Sequence, residues 1–503
     1  MRWFLSLSLA LVLSGCATVS PTVDLAVRVT PPDPTVSFTI LQLNDVYEIT
    51  PVAGGREGGL ARVATIRKQL LAENPNTYTV IAGDFFGPSA LGTARVDGER
   101  LRGKQMVAVL NALGLDLATF GNHEFDLDEG DFMMRMEETN FDWVSTNVAD
   151  ASGTMFMKTE PHHLVTFTDD EGDAVRVAFV GVTLDSNPKD YVRYSNPIRE
   201  LYDEVEYLSD RADVIVALTH LALEDDIRVA VEIPEIDVIL GGHEHENVEV
   251  YRGSDFTPIF KADANARSVY IHRITFDPRT GDIRMNSELL PVTDAIPDDP
   301  EVAAVVQEWV DIAFSGFIEQ GFDPNAVVTT TTEALDGREA TIRNRETNLG
   351  SLIAESFLRE DGSADLAVFN GGSVRIDDVL PAGDVSQYDI IRVMPFGGNV
   401  LAVGIKGSVL AQALSQGLAN RGSGGFLQTA NVSRDGETWM IGGEALDPDR
   451  TYRMATNDFL VSGRETGLDF FNVEENPDME LLATHRDVRM ACIDELQRRF
   501  GRP

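Results

Sequence analysis

The sequence predicts an α/β protein with more than one domain, and three observations point to this fold class. The chain has 503 residues, which is more than one hydrophobic core usually serves. Short, continuous apolar runs recur through the first half of the chain with helical patterns between them, as in sheets buried under layers of helices. A proline-rich break near residue 290 then precedes a second set of strand and helix patterns.

The N-terminal segment predicts export and a lipid anchor. A basic residue, Arg2, precedes an apolar run from Trp3 to Leu13, which is too short to span a bilayer permanently and is typical of a signal peptide. The run ends in Leu13-Ser14-Gly15-Cys16, which resembles the lipobox of bacterial lipoproteins and so implies lipidation at Cys16. An ordinary signal peptide with a coincidental cysteine is the alternative. We expect residues 17–35, which are rich in proline, to form an extended tether to a membrane, on its periplasmic or cell-surface side.

Charge and cysteine content exclude several classes of protein. The chain carries 81 acidic residues against 41 Lys and Arg, a formal charge of −40, so it is not expected to bind a nucleic-acid polymer. An anionic substrate would require a local cluster of metals or arginines. With only two cysteines, a disulfide framework does not hold the fold, and we expect Cys492 to lie in the core on a helix.

The apolar runs end abruptly in polar residues that can bind metal. The five runs and their endings are 38–43 before Asn44-Asp45, 78–82 before Gly83-Asp84, 117–120 before Gly121-Asn122-His123-Glu124, 214–218 before Thr219-His220, and 236–240 before Gly241-Gly242-His243-Glu244-His245. Helical patterns over 60–71 and 104–113 separate the first runs. Because the carboxyl ends of strands in such sheets form the ligand crevice, we expect these endings to converge.

The residue types at these ends predict a metal centre. The chain has eight histidines, and four of them, His123, His220, His243 and His245, fall at the strand ends. Imidazole and carboxylate ligands together suit zinc, manganese or iron. Five or six ligands are too many for one tetrahedral ion with an open position, so we expect two divalent ions, about 3.5–4 Å apart and bridged by a carboxylate.

In order and spacing, these blocks resemble those of the calcineurin-like metallophosphoesterases, and among them the two-domain bacterial 5′-nucleotidases. The resemblance implies an N-terminal metallophosphatase domain with layered α/β/β/α architecture, and a C-terminal α/β 5′-nucleotidase domain that binds substrate. The ligand roles that it implies are Asp45 and His245 for the first ion, Asp84 as the bridge, and Asn122, His220 and His243 for the second ion. It also implies that His123, backed by Asp126, stabilises the transition state and protonates the leaving group.

Tyr47 departs from the family pattern, which has histidine as the second residue of Asp-x-His. Residues two apart on a strand point the same way, so Tyr47 should face the site beside Asp45. Three interpretations follow. Tyr47 binds a harder ion such as Fe³⁺, it lies beside a site completed by water, or the first metal site is weak.

The second half of the chain predicts a linker helix and a substrate-binding domain. An amphipathic pattern from Val302 to Phe317 follows Asp299-Pro300, a helix-start signal. The predicted segments are the signal peptide 1–16, the tether 17–35, the metallophosphoesterase domain 36–295, the linker helix 296–322 and the C-terminal domain 323–503.

The C-terminal domain carries residues suited to a nucleotide. Arg345 and Arg375 can each bind phosphate oxygens through a guanidinium fork, and Phe396 and Phe459 offer flat faces on which a base can stack. By resemblance the two phenylalanines sandwich the base and Asn370 contacts it. Glu465 stands where the family has an aspartate for the ribose hydroxyls, beside the additional cation Arg464.

These observations predict a lipid-anchored metallophosphohydrolase that acts on nucleotides, most simply on nucleoside monophosphates, and serves nucleotide scavenging. A cyclic phosphodiesterase or a thiosulfohydrolase of the same superfamily is one alternative. The aromatic pair disfavours the sulfur substrate, which offers nothing to stack on. A nucleotide-binding lipoprotein without turnover is the alternative from a different class of protein.

Overall fold

The first of two units in the chain contains a pair of stacked sheets. The computed structural model describes residues 35–502; Cys16, the signal peptide and the tether up to residue 34 lie outside this range. The strands of the first unit are β1 (Val36–Leu43), β2 (Thr77–Ala82), β3 (Arg95–Val96), β4 (Glu99–Arg100), β5 (Leu117–Thr119), β6 (Asp142–Val144), β7 (Val148–Asp150), β8 (Thr159–Glu160), β9 (His162–Thr168), β10 (Ala174–Thr183), β11 (Val192–Tyr194), β12 (Val214–His220), β13 (Val238–Gly241), β14 (Val248–Arg252), β15 (Thr257–Lys261), β16 (Ser268–Asp277) and β17 (Asp282–Pro291).

Five helices cover the outer faces of this pair of sheets. They are α1 (Leu60–Glu73), α2 (Lys104–Leu113), α3 (Glu129–Glu138), α4 (Pro197–Leu208) and α5 (Leu223–Glu232). One sheet has the strand order β17-β16-β1-β2-β5-β6-β8, and the other has the order β14-β15-β13-β12-β10-β9. A core that includes Phe38, Val80, Phe179 and Val216 fills the space between the sheets. The unit is therefore layered α/β/β/α, as the family resemblance implies.

Helix α6 (Pro300–Glu319) joins the two units. Asp299 caps it, because its side chain accepts hydrogen bonds from the backbone N–H groups of Glu301 and Val302, and Pro300 occupies the first turn. The helix packs against α1 and α2. It begins two residues before the predicted amphipathic pattern, while the exact domain boundaries stay predictions.

The second unit has a five-stranded sheet between helices. Its strands are β18 (Val327–Thr331), β19 (Leu335–Asp336), β20 (Leu366–Asn370), β21 (Val379–Leu380), β22 (Gly383–Ser386), β23 (Asn399–Lys406), β24 (Leu427–Ala430), β25 (Val432–Asp435), β26 (Thr438–Ile441), β27 (Glu444–Ala445), β28 (Thr451–Asn457) and β29 (Met479–Asp487). Its helices are α7 (Glu339–Ile342), α8 (Asn348–Asp361), α9 (Gln387–Val393), α10 (Gly407–Ala419) and α11 (Val488–Phe500). The main sheet has the order β24-β20-β28-β23-β29.

Apolar side chains bury both faces of this second sheet. Helix α8 contributes Leu352 and Phe357 to a core that also contains Cys492 of α11, while α10 contributes Leu410 to the core on the other side. The prediction that Cys492 is a buried core residue is confirmed, since its side chain is fully buried and forms no disulfide. Among residues 35–502, no helix is both long and apolar enough to cross a bilayer.

Candidate metal centre and substrate cleft

Two predicted metal ligands sit directly after neighbouring parallel strands. Asp45 follows β1 and Asp84 lies two residues after β2, and the backbone N–H of Asp45 donates to the carbonyl of Gly83 across the strand ends. Asp45, Asp84 and His243 all have left-handed backbone conformations, with φ of 51°, 60° and 83°. This conformation is unfavourable for a residue other than glycine. The chain therefore tolerates local strain at three of its predicted ligands.

Glycine lets the strand ends approach each other closely enough to form this centre. A Cβ added at Gly121 would lie 2.1 Å from Asp84 Oδ1, and one added at Gly242 would lie 2.3 Å from the carbonyl oxygen of Ala82. No other residue fits at these two positions without moving the backbone. The close approach of the strand ends therefore explains why glycine precedes Asn122 and His243.

Asp45, Asp84 and His220 form the centre of the cluster, with ligand atoms within 4.8 Å of one another. His220 Nδ1 lies 2.7 Å from the carbonyl oxygen of Ala82, to which it donates, so Nε2, 3.3 Å from Asp84 Oδ2, is the atom that could bind an ion. Burial opposes a charge on His220, but Asp84 and Asp45 outweigh it and raise its pKa to about 10. The negative potential that causes this shift also favours a bound cation.

The hydrogen bonding of buried polar atoms at this centre shows whether its residues would fit a metal ion. Within the described residues, Asn122 Oδ1 is buried without a hydrogen-bond partner, and buried His220 Nε2 has only an ion-pair contact, 3.3 Å from Asp84 Oδ2. Orphaned buried polar atoms are costly unless something binds them. Both atoms belong to the predicted second site, so the residues present fit a metal ion there.

The two histidines after β13 reach the same centre. The backbone N–H of His243 donates to Asp45 Oδ2 at 2.9 Å, and the His243 ring lies 5.4 Å from the His220 ring between centroids. His245 Nε2 lies 3.9 Å from Asp45 Oδ1, while its Nδ1 lies 2.6 Å from Asp377 Oδ2. The structure therefore brings together five of the predicted ligands, Asp45, Asp84, His220, His243 and His245, and Asn122 lies in the adjoining loop after β5.

Tyr47 faces the centre as expected, but from the loop after β1, where Asp45 is left-handed, and not by alternation along a strand. Its hydroxyl lies 3.1 Å from Asp84 Oδ2, 3.5 Å from Asp45 Oδ1 and 3.2 Å from His245 Nε2. Burial and the neighbouring carboxylates Asp84 and Asp45 hold the pKa of Tyr47 well above 10. In the absence of a metal, the phenol is therefore neutral and donates a hydrogen bond.

His123 and Asp126 form a close pair at the edge of this centre. His123 Nδ1 lies 2.7 Å from Asp126 Oδ2, and the backbone N–H of His123 donates to Asp84 Oδ1. Burial lowers the pKa of His123, but Asp126 and Asp84 outweigh it and raise the pKa above its ordinary value. Asn187, which sequence reasoning missed, donates to Asp126 Oδ1 at 2.8 Å and to the carbonyl of Asn122 at 3.0 Å. It orients the Asp126 carboxylate toward His123.

Glu124 is a further residue whose role was not predicted. Its fully buried carboxylate accepts hydrogen bonds from four backbone N–H groups, those of Asp84, Phe85, Phe86 and Gly121. These groups belong to the loops after β2 and β5. Glu124 thus fixes the two loops that carry Asp84 and Asn122.

A cleft of about 860 Å³ adjoins His123 and is lined by residues of both units. Arg375 of the second unit reaches across it, with Nη2 3.4 Å from His123 Nε2. Phe396 and Phe459 line the same cleft and are 50% and 39% exposed, which is high for such apolar side chains. Neither ring is packed into the core, and a guanidinium lies over each: Arg375 is 5.9 Å from the Phe396 centroid and Arg464 is 5.6 Å from the Phe459 centroid.

Asn370 lines the cleft as part of a hydrogen-bonded group. Its Oδ1 accepts from the Ser373 hydroxyl, and its Nδ2 donates to Glu465 Oε2 at 2.8 Å. Glu465 is buried and also accepts a hydrogen bond from the backbone N–H of Thr466. In this arrangement Glu465 supports Asn370 from behind, and its neighbour Arg464 faces the cleft.

The two predicted phosphate arginines differ in position. Arg375 lines the cleft, whereas Arg345 is exposed and does not. Arg343, two residues before Arg345, instead lies beside the centre, where its guanidinium contacts Glu339, and its buried Nε has no hydrogen-bond partner among the described residues. The sequence spacing did not distinguish Arg343 from Arg345, because both lie just before helix α8.

The cleft wall carries as many basic as acidic side chains, although the chain as a whole is strongly acidic. Arg100, Lys189 and Arg464 all line it, and none forms an ion pair within residues 35–502. Arg464 instead lies over the Phe459 ring, 5.6 Å from its centroid. Such unpaired cations attract a phosphorylated ligand.

Two family descriptions match the chain, and together they cover more than half of it. Residues 38–247 match "Calcineurin-like phosphoesterase", and residues 327–472 match "5′-nucleotidase, C-terminal domain". The first range contains all the predicted metal ligands. The second contains Arg375, Asn370, Phe396, Phe459 and Glu465.

Several known proteins resemble the chain over most of its length. The chain is 28% identical to protein UshA of Yersinia enterocolitica, over 86% of each protein. It is 27% identical to the trifunctional nucleotide phosphoesterase of Bacillus subtilis, over 86% of this chain but only 32% of that protein, so it spans about a third of that relative. The solved structure of a 5′-nucleotidase precursor from Thermus thermophilus superposes with a TM-score of 0.74 at 24% identity, covering 93% of this chain and 98% of that one.

Proposed function

Because this chain belongs to the calcineurin-like phosphoesterases that carry a 5′-nucleotidase C-terminal domain, we propose that it hydrolyses nucleoside monophosphates at the centre described above. The family membership confirms the resemblance, the two-domain α/β fold and the class of metal-dependent phosphoric ester hydrolase that the sequence predicts. The observation that supports a nucleotide as the substrate is the cleft that both domains line. It places His123 of one domain beside Arg375, Phe396 and Phe459 of the other.

The proposed ligands divide between two ions. Asp84, Asn122, His220 and His243 would hold the second ion, and Asp45, Asp84, His245 and Tyr47 the first. Zinc, manganese and iron suit the imidazole and carboxylate ligands, and the Tyr47 phenol favours a harder ion such as Fe³⁺ at the first site. Bound ions would stabilise the negative charge that develops on the phosphoryl group.

The position of the Tyr47 hydroxyl supports the interpretation in which Tyr47 is itself a ligand. With Asp45 Oδ1 and His245 Nε2 it forms a triangle with sides of 3.5, 3.2 and 3.9 Å. Ligands about 2.1 Å from one tetrahedral ion lie about 3.4 Å from one another. The hydroxyl therefore stands at a corner beside the other ligands, and it does not occupy the middle of the site.

The protein's own residues would orient the substrate and move the proton. Arg375 binds phosphate oxygens, and the base stacks on Phe396 and Phe459 while Asn370 contacts its edge. His123 Nε2 faces the cleft and gives its proton to the leaving oxygen, while Asp126 holds Nδ1 and stabilises the charged imidazole. We further propose that the chain is exported and lipid-anchored at Cys16, on the periplasmic or cell-surface side, where hydrolysis would release nucleosides for uptake.

A comparison of two substrates tests the nucleotide assignment. Phe396→Ala and Phe459→Ala should each lower kcat/KM for AMP by the lost stacking, about 1–3 kcal/mol or about 5- to 150-fold. Hydrolysis of bis-p-nitrophenyl phosphate should change far less, because this ester has no base to sandwich. Phe256→Ala is the matched control, since Phe256 is 71% exposed but does not line the cleft.

The same assay separates the alternatives. Equal losses on both substrates would mean that the two phenylalanines do not recognise a base, and this would contradict the nucleotide assignment. No turnover of any phosphate ester with manganese, zinc or iron would favour a nucleotide-binding lipoprotein without activity.

A further inference from the structure

A four-residue segment of the second domain, residues 375–378, contacts both histidines at the edge of the metal centre. Arg375 Nη2 lies 3.4 Å from His123 Nε2, and Asp377 Oδ2 lies 2.6 Å from His245 Nδ1. His123 and His245 belong to the first domain. A metal ligand of one domain is therefore in direct contact with a carboxylate of the other.

We propose that Asp377 is a positioning residue for the first metal ion, which makes the affinity of that ion depend on docking of the second domain. This inference rests on the proposed function, because it takes His245 as a ligand. By accepting the hydrogen bond from Nδ1–H, Asp377 fixes the tautomer in which Nε2 carries the lone pair. Nε2 is the atom that faces Asp45 Oδ1 and the Tyr47 hydroxyl. A carboxylate in this position also makes the imidazole a better donor to a metal.

Asp377 is itself held firmly in place. Its Oδ1 accepts a hydrogen bond from the backbone N–H of Glu339 at 2.7 Å, and its carbonyl accepts one from Arg267 Nη2 at 2.5 Å. Its backbone is left-handed, with φ of 39°. A strained residue fixed on both sides by hydrogen bonds is suited to presenting one carboxylate oxygen in one direction.

The second metal site provides an internal contrast. His220 donates from Nδ1 to the carbonyl of Ala82, which belongs to its own domain. The orientation of His220 is therefore independent of the second domain. Only the first ion should respond to changes at Asp377, and by thermodynamic reciprocity binding of that ion should stabilise domain docking.

The test is metal binding by Asp377→Asn, with Asp378→Asn as the matched control. Asp378 Oδ2 accepts a hydrogen bond from the backbone N–H of Ala53 across the same interface at 2.9 Å, without touching a histidine. Full-length proteins are stripped of metal, titrated with Mn²⁺ or Zn²⁺ against a chelating dye, and checked by elemental analysis. Asp377→Asn should weaken one of two ions about 10- to 100-fold and leave the other unchanged. Asp378→Asn should weaken the same ion much less, because it alters a contact between the domains but leaves Asp377 bonded to His245.

The outcomes distinguish this inference from the proposed function. A wild-type chain that binds no ion would overturn the proposed function and the inference with it. Two ions of wild-type affinity in Asp377→Asn would overturn the inference alone, and so would equal weakening in the Asp378→Asn control. A second measurement uses only the wild type, so it does not depend on whether a variant folds. Stripping the metal should speed hydrogen exchange of the Glu339 amide, which donates a hydrogen bond to Asp377. Unchanged exchange there would also overturn the coupling.

Discussion

The imidazole of His123, the proposed proton donor, lies between a carboxylate of its own domain and a guanidinium of the second domain. Asp126 binds Nδ1 at 2.7 Å, and Arg375 approaches Nε2 to 3.4 Å from the second domain. The carboxylate favours the charged imidazole, and the guanidinium opposes it. The arrangement keeps Nε2 directed into the cleft, where a leaving group would lie.

Metal binding and proton transfer should separate in two variants. His123→Asn should keep both ions and lose about 10²- to 10⁴-fold in turnover, because only general-acid help is removed. Asp84→Ala should lose metal, because it removes the bridging carboxylate. Elemental analysis beside steady-state kinetics checks both, and metal loss in His123→Asn would show that our role for His123 is wrong.

For individual residues, the sequence predicts a contact where the two partners are close together in the chain. Asn122, His123 and Asp126 could be placed in one turn from their spacing alone. Asn187 could not, because it reaches Asp126 from 61 residues away on a loop with no pattern of its own. Arg345, predicted to bind phosphate, lies outside the cleft, because no local signal tells which arginine near the start of α8 turns inward.

Strand β15 supports the loop after β13, which carries two proposed metal ligands, through a buried cation. Lys261, at the end of β15, is fully buried and donates from Nζ to the carbonyls of Gly242 and Leu221. The same ammonium pairs with Asp226 at 2.8 Å and contacts Glu244, which stands between the two histidines of the loop. Lys261 therefore holds the loop and neutralises a buried carboxylate of α5.

Lys261→Met should destabilise the first domain strongly. Removing one partner of a buried ion pair leaves the other uncompensated, at a cost of about 3–5 kcal/mol. The melting temperature should fall, and Asp226→Asn added to the same chain should recover part of the loss. Calorimetry on the metal-free proteins checks this. A single variant that melts like the wild type would contradict the supporting role.

Individual elements were well predicted where their pattern is long or buried. Helix α2 has the predicted bounds of 104–113, and the five predicted strands all appear within a few residues of their expected ends. The apolar runs alone could not predict which of the two sheets each strand would join. β1, β2 and β5 share one sheet, while β12 and β13 belong to the other, and this pairing depends on contacts distant in sequence.

At the scale of the whole molecule, the signal peptide that ends at Cys16 leads to a prediction about membrane attachment. Cys16→Ala should release the protein from the membrane fraction with unchanged specific activity, because the lipid would be its only attachment. Fractionation followed by an AMP assay measures both quantities. Persistent membrane association of the variant would contradict the lipoprotein interpretation.

The arrangement of the two domains was the least predictable feature. The linker helix and the residue blocks of both domains could be read from the sequence. The contact between Arg375 and His123 joins residues 252 positions apart, and nothing local in either segment indicates it. The cleft, and with it the contacts between the two domains around the centre, emerges only in three dimensions.

The unpaired cations of the cleft wall have a kinetic consequence in a chain with a charge of −40. A nucleotide dianion approaching from solution meets net repulsion first and the attraction of Arg100, Lys189 and Arg464 only on arrival. Salt shortens the reach of electrostatic forces to about 10 Å at 0.1 M, so it screens the distant repulsion before the close attraction. We therefore expect kcat/KM for AMP to rise from low ionic strength, pass through a maximum and then fall. A steady fall from the lowest salt would mean that the cleft's own field already dominates at long range, and that the surface charge presents no barrier to substrate capture.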